Sequence, residues 1–337
     1  MDNIYLLDCT LRDGGYVNNW NFGYSNIRTI IRSLEDSGVN ILELGFLRNE
    51  PQNNDRTAFS NIENINALIE KRKKGVIYSA MIEAFNPFDL DNLSPYKKGG
   101  VDLIRICIWK RCLKEHIEYC KKVKEKGYKI TIQPSRVEQY NDEEFVEMIK
   151  ASNEQDPYAV YNEDTWGTQS SSQIKHYMEL ADKHLRPGIK IGYHGHNNKL
   201  QALSCAEACL SLDFDRDLCI DSSILGMGRG AGNLNTEVIM ERLNEHYRKE
   251  YKVGKIVDAF AKCLLTTYEN KRWGYSMYSY LCSINNCNPN YATYFIDKGY
   301  QISDFEPFLK TLNENEKIVF STDLVEERLK VLKRKGG

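Results

Sequence analysis

Apolar segments of strand length alternate along most of this chain with longer stretches in which apolar residues return at helical spacing. Strands are predicted near 4–8, 40–45, 76–81, 102–107, 128–133, 158–162, 188–193 and 217–221. Between them, helices are predicted near 24–37, 60–73, 85–93, 112–126, 142–152, 171–184, 198–211 and 235–247. In the first of these, Ile27, Ile30, Ile31 and Leu34 make one buried stripe. The helix over 85–93 is the doubtful one, because Asn86-Pro87-Phe88 and Leu93-Ser94-Pro95 break it. Such alternation is the pattern of a parallel sheet with crossover helices, and eight units favour a closed α/β TIM (β/α)8 barrel over an open sheet. Around Tyr251–Gly254 it stops, and the tail turns helical and aromatic. The expected organisation is therefore a barrel over 1–248 and a small helical C-terminal region over 249–337.

Length agrees with that reading, since a barrel of this type commonly takes about 250 residues and the chain has 337. Hydrophobic residues make up 42%, ordinary for a globular core, and no run approaches the roughly 20 apolar residues of a membrane span. A secretory signal pattern is not seen at the start, so a cytoplasmic location is expected. The net charge of −2 gives no reason to invoke nucleic acid or a membrane surface, and the basic runs at Lys71–Lys74 and Lys330–Lys335 read as solvated faces. Ten cysteines are scattered without a zinc-type pair, which suits reduced, mostly buried thiols.

Two stretches carry chemistry. Leu6-Leu7-Asp8-Cys9-Thr10-Leu11-Arg12-Asp13-Gly14-Gly15 ends an apolar strand in a guanidinium, a carboxylate and two glycines. Tyr193-His194-Gly195-His196-Asn197 follows another strand, and residues two apart in extended chain point to the same side. Asp13, His194 and His196 are thus a plausible facial set for one divalent metal. Mn²⁺ or Mg²⁺ is preferred for this O/N set if waters complete the shell, with Co²⁺ or Zn²⁺ also accommodated. Arg105 and Gln133, at the expected ends of the fourth and fifth strands, are weaker candidates for substrate binding. The run Gly226-x-Gly228-x-Gly230-x-Gly232 lacks the features of a nucleotide loop and is expected to close over the barrel mouth.

Five segments in order, Asp8-x-Thr10-Leu11-Arg12-Asp13-Gly14, Leu42-Glu43-Leu44-Gly45-Phe46, Asp164-Thr165-Trp166-Gly167, His194-x-His196-Asn197 and Gly226-Met227-Gly228-Arg229-Gly230-Ala231-Gly232-Asn233, resemble the DRE-TIM metallolyase superfamily. That superfamily of HMG-CoA lyase-like barrels is named for its Asp-Arg-Glu motif, and the chain is most similar to its 4-hydroxy-2-oxovalerate aldolase branch. The resemblance covers about the first three quarters. It implies that Arg12 stabilises the enolate of a 2-oxo acid, with a salt bridge to Asp8 or Glu43 as the alternative. It also implies that Glu43 anchors Arg12 or a bound water, that Thr165 meets a substrate carboxylate, and that Asn233 is a ligand or near-ligand of the metal. Gly274-Tyr275 looks like the aldolases' Gly-Tyr segment near the substrate; aromatics packing a helical interface are the other reading.

One departure matters. Where those aldolases carry an acid/base histidine, this chain has Tyr16, whose phenol needs a lowered pKa to act as a base and otherwise serves as a donor. The expected function is a class II, metal-dependent aldolase that cleaves or forms a 4-hydroxy-2-oxo acid, with a 2-oxo acid and an aldehyde as small-molecule substrates and a homo-oligomer as the assembly. The alternative is an acyl-CoA Claisen synthase of the isopropylmalate or homocitrate type, which usually continues Arg-Asp-Gly with Glu-Gln where this chain has Gly15-Tyr16. A biotin-dependent carboxyltransferase fits less well, since Glu163-Asp164-Thr165 offers no lysine, and the intact Arg12, Asp13, His194 and His196 argue against a non-enzymatic barrel.

Overall fold

The computed structural model describes residues 4–335. The side chains from Lys333 onward lie outside the described residues, as do residues 1–3 and 336–337 of the two expected segments. Eight parallel strands form the barrel: β1 (Ile4–Asp8), β2 (Ile41–Leu47), β3 (Ile77–Glu83), β4 (Leu103–Ile108), β5 (Lys129–Pro134), β6 (Ala159–Asp164), β7 (Lys190–Gly195) and β8 (Leu218–Ser222). Each pairs with the next, and β1 pairs with both β2 and β8, which closes the sheet and leaves no barrel edge. A two-residue strand, Ala58–Phe59, adds to the outer end of β2.

The strands run one or two residues further than expected at several C-terminal ends, which brings Glu83, Asp164 and Gly195 inside the sheet. Helix Tyr24–Ser37 forms as expected and buries Ile27, Ile30, Ile31 and Leu34 against the sheet. Capping boxes, Asn141 with Glu144 and Ser170 with Gln173, start the helices after β5 and β6.

Two expected helices do not form at full length. Residues 60–73 give only Ile62–Asn66, because the Asn66 side chain accepts from the Val101 amide (2.8 Å) and Arg72 turns back to the Gly100 carbonyl (2.7 Å) and Asp102. Between Pro87 and Pro95, the expected helix over 85–93 reduces to a 3-10 turn at Leu90–Asn92.

Beyond β8 the chain is helical. Tyr251, Ile256, Ala259, Cys263 and Leu264 bury into the barrel's own core, whereas Cys282, Tyr291, Phe295, Phe305, Phe308, Leu309, Val325 and Leu329 make a separate one. The second core sits on the mouth side: Ser283 Oγ donates to the Gly167 carbonyl (2.8 Å) and Arg229 reaches Asn288 and Asn290. All ten cysteines are free, nine of them buried. Among the described residues, no helix is long and apolar enough to cross a membrane.

Candidate active site

Alternation along the strands sorts the barrel interior into two zones. Below, Leu7, Ile41, Leu103, Ala159, Tyr161 and Cys219 pack into an apolar plug. Above it, Glu43, Arg105, His194 and Asp221 face inward from β2, β4, β7 and β8, and the loop after β1 lays Arg12 and Asp13 over them.

Asp13, His194 and His196 each offer a ligand atom, and these atoms lie within 4.8 Å of one another, all buried. Tautomers follow from the partners. His196 Nδ1 stands 3.1 Å from the Asp164 carbonyl, which can only accept, so Nδ1 carries the hydrogen and Nε2 keeps its lone pair. His194 Nδ1 faces Asp221 Oδ2 at 3.0 Å, with the same result. Both Nε2 atoms, and Asn233 Oδ1, are buried without a hydrogen-bond partner. Asn233 is oriented by its amide nitrogen, which donates to Asp13 Oδ2 (2.8 Å) and the Met227 carbonyl (3.2 Å). Burial pushes the His194 imidazole below its ordinary value, against the pull of Asp221. Burial opposes ionisation of Asp13, but Arg12 and the two imidazoles hold its carboxyl well below the usual carboxylate range. Orphaned nitrogen and oxygen acceptors around an ionised carboxylate fit a divalent cation.

Gly228 is where the glycine-rich loop must lack a side chain: a Cβ there would stand 2.6 Å from Asp13 Oδ2 and collide with the Asn233 amide. Gly15 has the same role toward Trp20, whose indole lies where a Cβ would project and whose Nε1 donates to the Arg12 carbonyl (2.7 Å).

Arg12 pairs with Glu43 (Nε, 2.7 Å) and Asp13 (Nη1, 2.5 Å), not with Asp8, which instead accepts from Thr10 and Thr236. Its Nη2 is buried and unpartnered. Glu43 also holds Arg105 (2.8 Å), Arg105 pairs with Asp221, and Asp221 orients His194. A continuous chain of ion pairs therefore runs beneath the site from Asp13 to His194. Arg105, expected at a strand end to bind substrate, is fully buried three residues deeper than the observed end of β4, and both its carboxylate partners belong to this chain. Gln133 lies beside it, with its carbonyl oxygen turned to accept from Arg105 Nε (2.6 Å) and Nη2 (2.5 Å). Both therefore underlie the site and do not line it.

At the rim, Thr165 Oγ1 accepts from the Arg136 amide (2.9 Å) and meets Ser135 Oγ (3.1 Å), while Asp164 turns outward to the amides of Thr168 and Gln169. Tyr16 is half-buried, and its hydroxyl donates to Glu83 Oε1 at 3.2 Å. Burial and the Glu83 charge push that phenol above its ordinary value, so it is a donor and not a ready base. Tyr275 is exposed on the C-terminal region, with contacts to Met277 and Tyr280, and is not brought to the cluster. Sequence reasoning missed Asp221, Glu83 and Glu163 as inward-facing acids. Glu163 is buried opposite His194, accepts weakly from Cys107 Sγ (3.7 Å), and is pushed by burial to about 7, against the pull of Arg12 and Arg105. The available signal was parity, since Glu163 stands two residues after the inward Tyr161 and Asp221 two after the inward Cys219.

A closed parallel barrel with a buried two-histidine, one-carboxylate cluster at the strand C-termini offers a donor set that could hold a divalent metal at the mouth. More narrowly, the chain carries an HMGL-like domain: residues 107–261 match that family's model. Over 246 residues it is 24% identical to an oxaloacetate decarboxylase of Mycobacterium tuberculosis (strain ATCC 25618 / H37Rv), covering 71% of this chain and 69% of the relative. A 4-hydroxy-2-oxovalerate aldolase of Ralstonia pickettii (strain 12J) is 24% identical over 244 residues, covering 71% and 68%. In fold, the chain is similar to the N-terminal domain of a candidate aldolase from Bacteroides vulgatus, with TM-score 0.75 and 23% identity over 91% of this chain and all (100%) of that one. The carboxyl transferase domain of Rhizobium etli pyruvate carboxylase gives TM-score 0.73 at 13% identity, over 99% of this chain and 61% of that one. With these relatives, the chain is a carbon–carbon lyase whose residues 107–261 are similar to the HMGL-like family.

Proposed function

We propose that the protein is a class II aldolase that cleaves or forms a 4-hydroxy-2-oxo acid, with a divalent metal held by Asp13, His194 and His196 and with Asn233 Oδ1 as a further oxygen donor. The observation that carries this reading is the set of buried atoms without partners, His194 Nε2, His196 Nε2 and Asn233 Oδ1, gathered around ionised Asp13 beside the free Nη2 of Arg12. A bound metal supplies Lewis acidity toward the oxygens of a 2-oxo acid.

The chain's own residues do the rest. Arg12, fixed by Glu43 and Asp13, directs Nη2–H to the carbonyl oxygen that gathers negative charge as the C3–C4 bond breaks. Asp221 and the Asp164 carbonyl each accept from an Nδ1–H and so fix the tautomer and the aim of the two imidazoles. The relatives named as aldolases support a pyruvate-type enolate. The relative named as an oxaloacetate decarboxylase supports a second reading, in which the same enolate half releases CO₂ and no hydroxyl proton has to move.

Metal-loaded protein incubated with pyruvate and a panel of aldehydes, and separately with oxaloacetate, tests the choice. Formation of a 4-hydroxy-2-oxo acid is expected. Loss of CO₂ from oxaloacetate with no aldol product from any aldehyde would transfer the assignment to decarboxylation.

A further inference from the structure

An aldol cleavage needs somewhere for the 4-hydroxyl proton to go, and the metal cluster does not supply it. The groups of that cluster are already engaged: Asp13 accepts from Arg12, His194 Nδ1 donates to Asp221, and His196 Nδ1 donates to the Asp164 carbonyl. Glu83, the last residue of β3, is an acid outside the cluster that pairs with Tyr16 at the mouth. Its face of the strand is set two residues earlier by Met81, which packs with Trp20, Phe46 and Ala58 at the edge of the mouth.

Ring packing and polar contacts fix the geometry around it. Tyr16 packs edge-to-face on Trp20 (ring centroids 4.8 Å) and Phe46 (6.3 Å), which sets the direction of its hydroxyl toward Glu83 Oε1. Glu83 Oε2 is held from the other side by Arg48 Nη2 (3.3 Å), and the Arg48 guanidinium stands 4.3 and 4.2 Å from the ring centroids of Trp20 and Phe46. Arg229 joins this group to the metal cluster: its amide reaches Asp13 Oδ2 (3.4 Å) while its guanidinium lies over the Tyr16 ring (5.6 Å). Glu83 also keeps 14% of its side chain exposed where Glu43 has none, so it can exchange a proton with water.

We propose that Glu83, acting through the Tyr16 hydroxyl, receives the proton of the substrate's 4-hydroxyl during cleavage and returns it during aldol addition. The inference rests on the aldolase reading above. As C3–C4 breaks, its electron pair passes into the enolate, and the 4-oxygen becomes the aldehyde carbonyl. The hydroxyl proton moves to Tyr16 Oη while the phenolic proton moves to Glu83 Oε1. Glu83 then releases that proton to water at the mouth, and the enolate takes one proton from water at C3. Tyr16 thus remains a neutral phenol before and after the step, which answers the difficulty that its own pKa lies too high for a free base. Tyr16 is the group that touches substrate, and Glu83 is its positioning and proton-accepting partner.

Glu83→Gln separates these two roles, because the amide oxygen can still accept from Tyr16 but cannot take its proton. The measurements are cleavage of the 4-hydroxy-2-oxo acid made from pyruvate by the parent enzyme, and deuterium exchange into the pyruvate methyl group, which uses only the enolate half. For Glu83→Gln, cleavage kcat is expected to fall by about a hundred- to ten-thousandfold, with KM and metal content near the parent's and methyl exchange within a few-fold. Tyr16→Phe should fall similarly, and the double variant no further, as expected of two groups in one relay. Formate should partly restore cleavage in Glu83→Ala. Cleavage by Glu83→Gln at the parent rate overturns the relay while leaving the aldolase reading intact, and equal loss of cleavage and exchange reduces Glu83 to a structural role and overturns it too. No aldol cleavage by the parent with any aldehyde overturns the aldolase reading, and the relay with it.

Discussion

The two zones of the barrel interior are built from the same alternating strands and obey opposite rules. The lower plug of Leu7, Ile41, Leu103, Ala159 and Cys219 is fully buried and apolar, so it contributes by removing surface from water and demands nothing of its neighbours. The upper zone buries Arg12, Asp13, Glu43, Arg105, His194 and Asp221 just as deeply, and each charge there is costly unless it is paired. Within the zone these charges are paired in the chain that runs from Asp13 to His194. The donor atoms left over cluster at one point, on the side facing the mouth. The contrast teaches that unpartnered polar atoms in an otherwise satisfied network mark where a ligand belongs, whereas depth of burial alone does not.

Truncation in the plug should break the comparison in one direction only. Leu103→Ala is expected to lower stability by about 2–5 kcal/mol, seen as a shifted urea midpoint, while kcat of the folded protein stays within a few-fold of the parent. In the upper zone the reverse should hold. Arg12→Lys keeps the charge but loses the planar fork, so kcat should fall by about a hundredfold or more, roughly 3 kcal/mol, with metal content near normal. An unchanged kcat would make Arg12 a structural ion pair.

The zones should also differ in their response to pH. The Glu163 carboxyl is pushed by burial to about 7 from an unfolded value of 4.5. A raised carboxylate pKa means that the folded state binds the proton more tightly, so the stability it contributes is complete below about pH 4.5 and is lost as pH rises to about 7. Metal-free protein should therefore lose up to about 3 kcal/mol from this group across that window, and Glu163→Gln should flatten that part of the profile. Identical slopes in parent and variant would show that Glu163 ionises normally. A smaller effect is expected from Asp221→Asn, which loosens the hold on His194 and weakens metal binding by about 10- to 100-fold without abolishing it, measurable by metal titration.

Much of this was legible in the sequence because a parallel barrel brings strand ends to one mouth. Arg12, Asp13, His194 and His196 follow apolar runs, and their convergence needs only the fold class. What alternation does not convey is depth. Arg105 is expected near a strand end, but β4 runs on for three residues past it to Ile108, and that depth makes it a buried crosslink. Asp221 and Glu83 gave no motif, and only their partners from distant parts of the chain, Arg105 with His194 and Tyr16 with Arg48, define what they do. The expected helix over 60–73 failed for the same reason, since Asn66 and Arg72 are drawn into contacts with residues 100–102 that no local pattern announces. Tyr275 looked like part of a short motif and stands exposed on the C-terminal region.

The central claim is that Asp13, His194 and His196 hold one divalent ion. Anomalous diffraction at the manganese edge, from crystals grown with Mn²⁺, tests it most directly, with His196→Ala crystals as the control. The account predicts a single strong peak bounded by the Asp13 carboxylate, His194 Nε2 and His196 Nε2, and its loss in the variant. A peak elsewhere on the protein, or one of equal strength in His196→Ala, would contradict it.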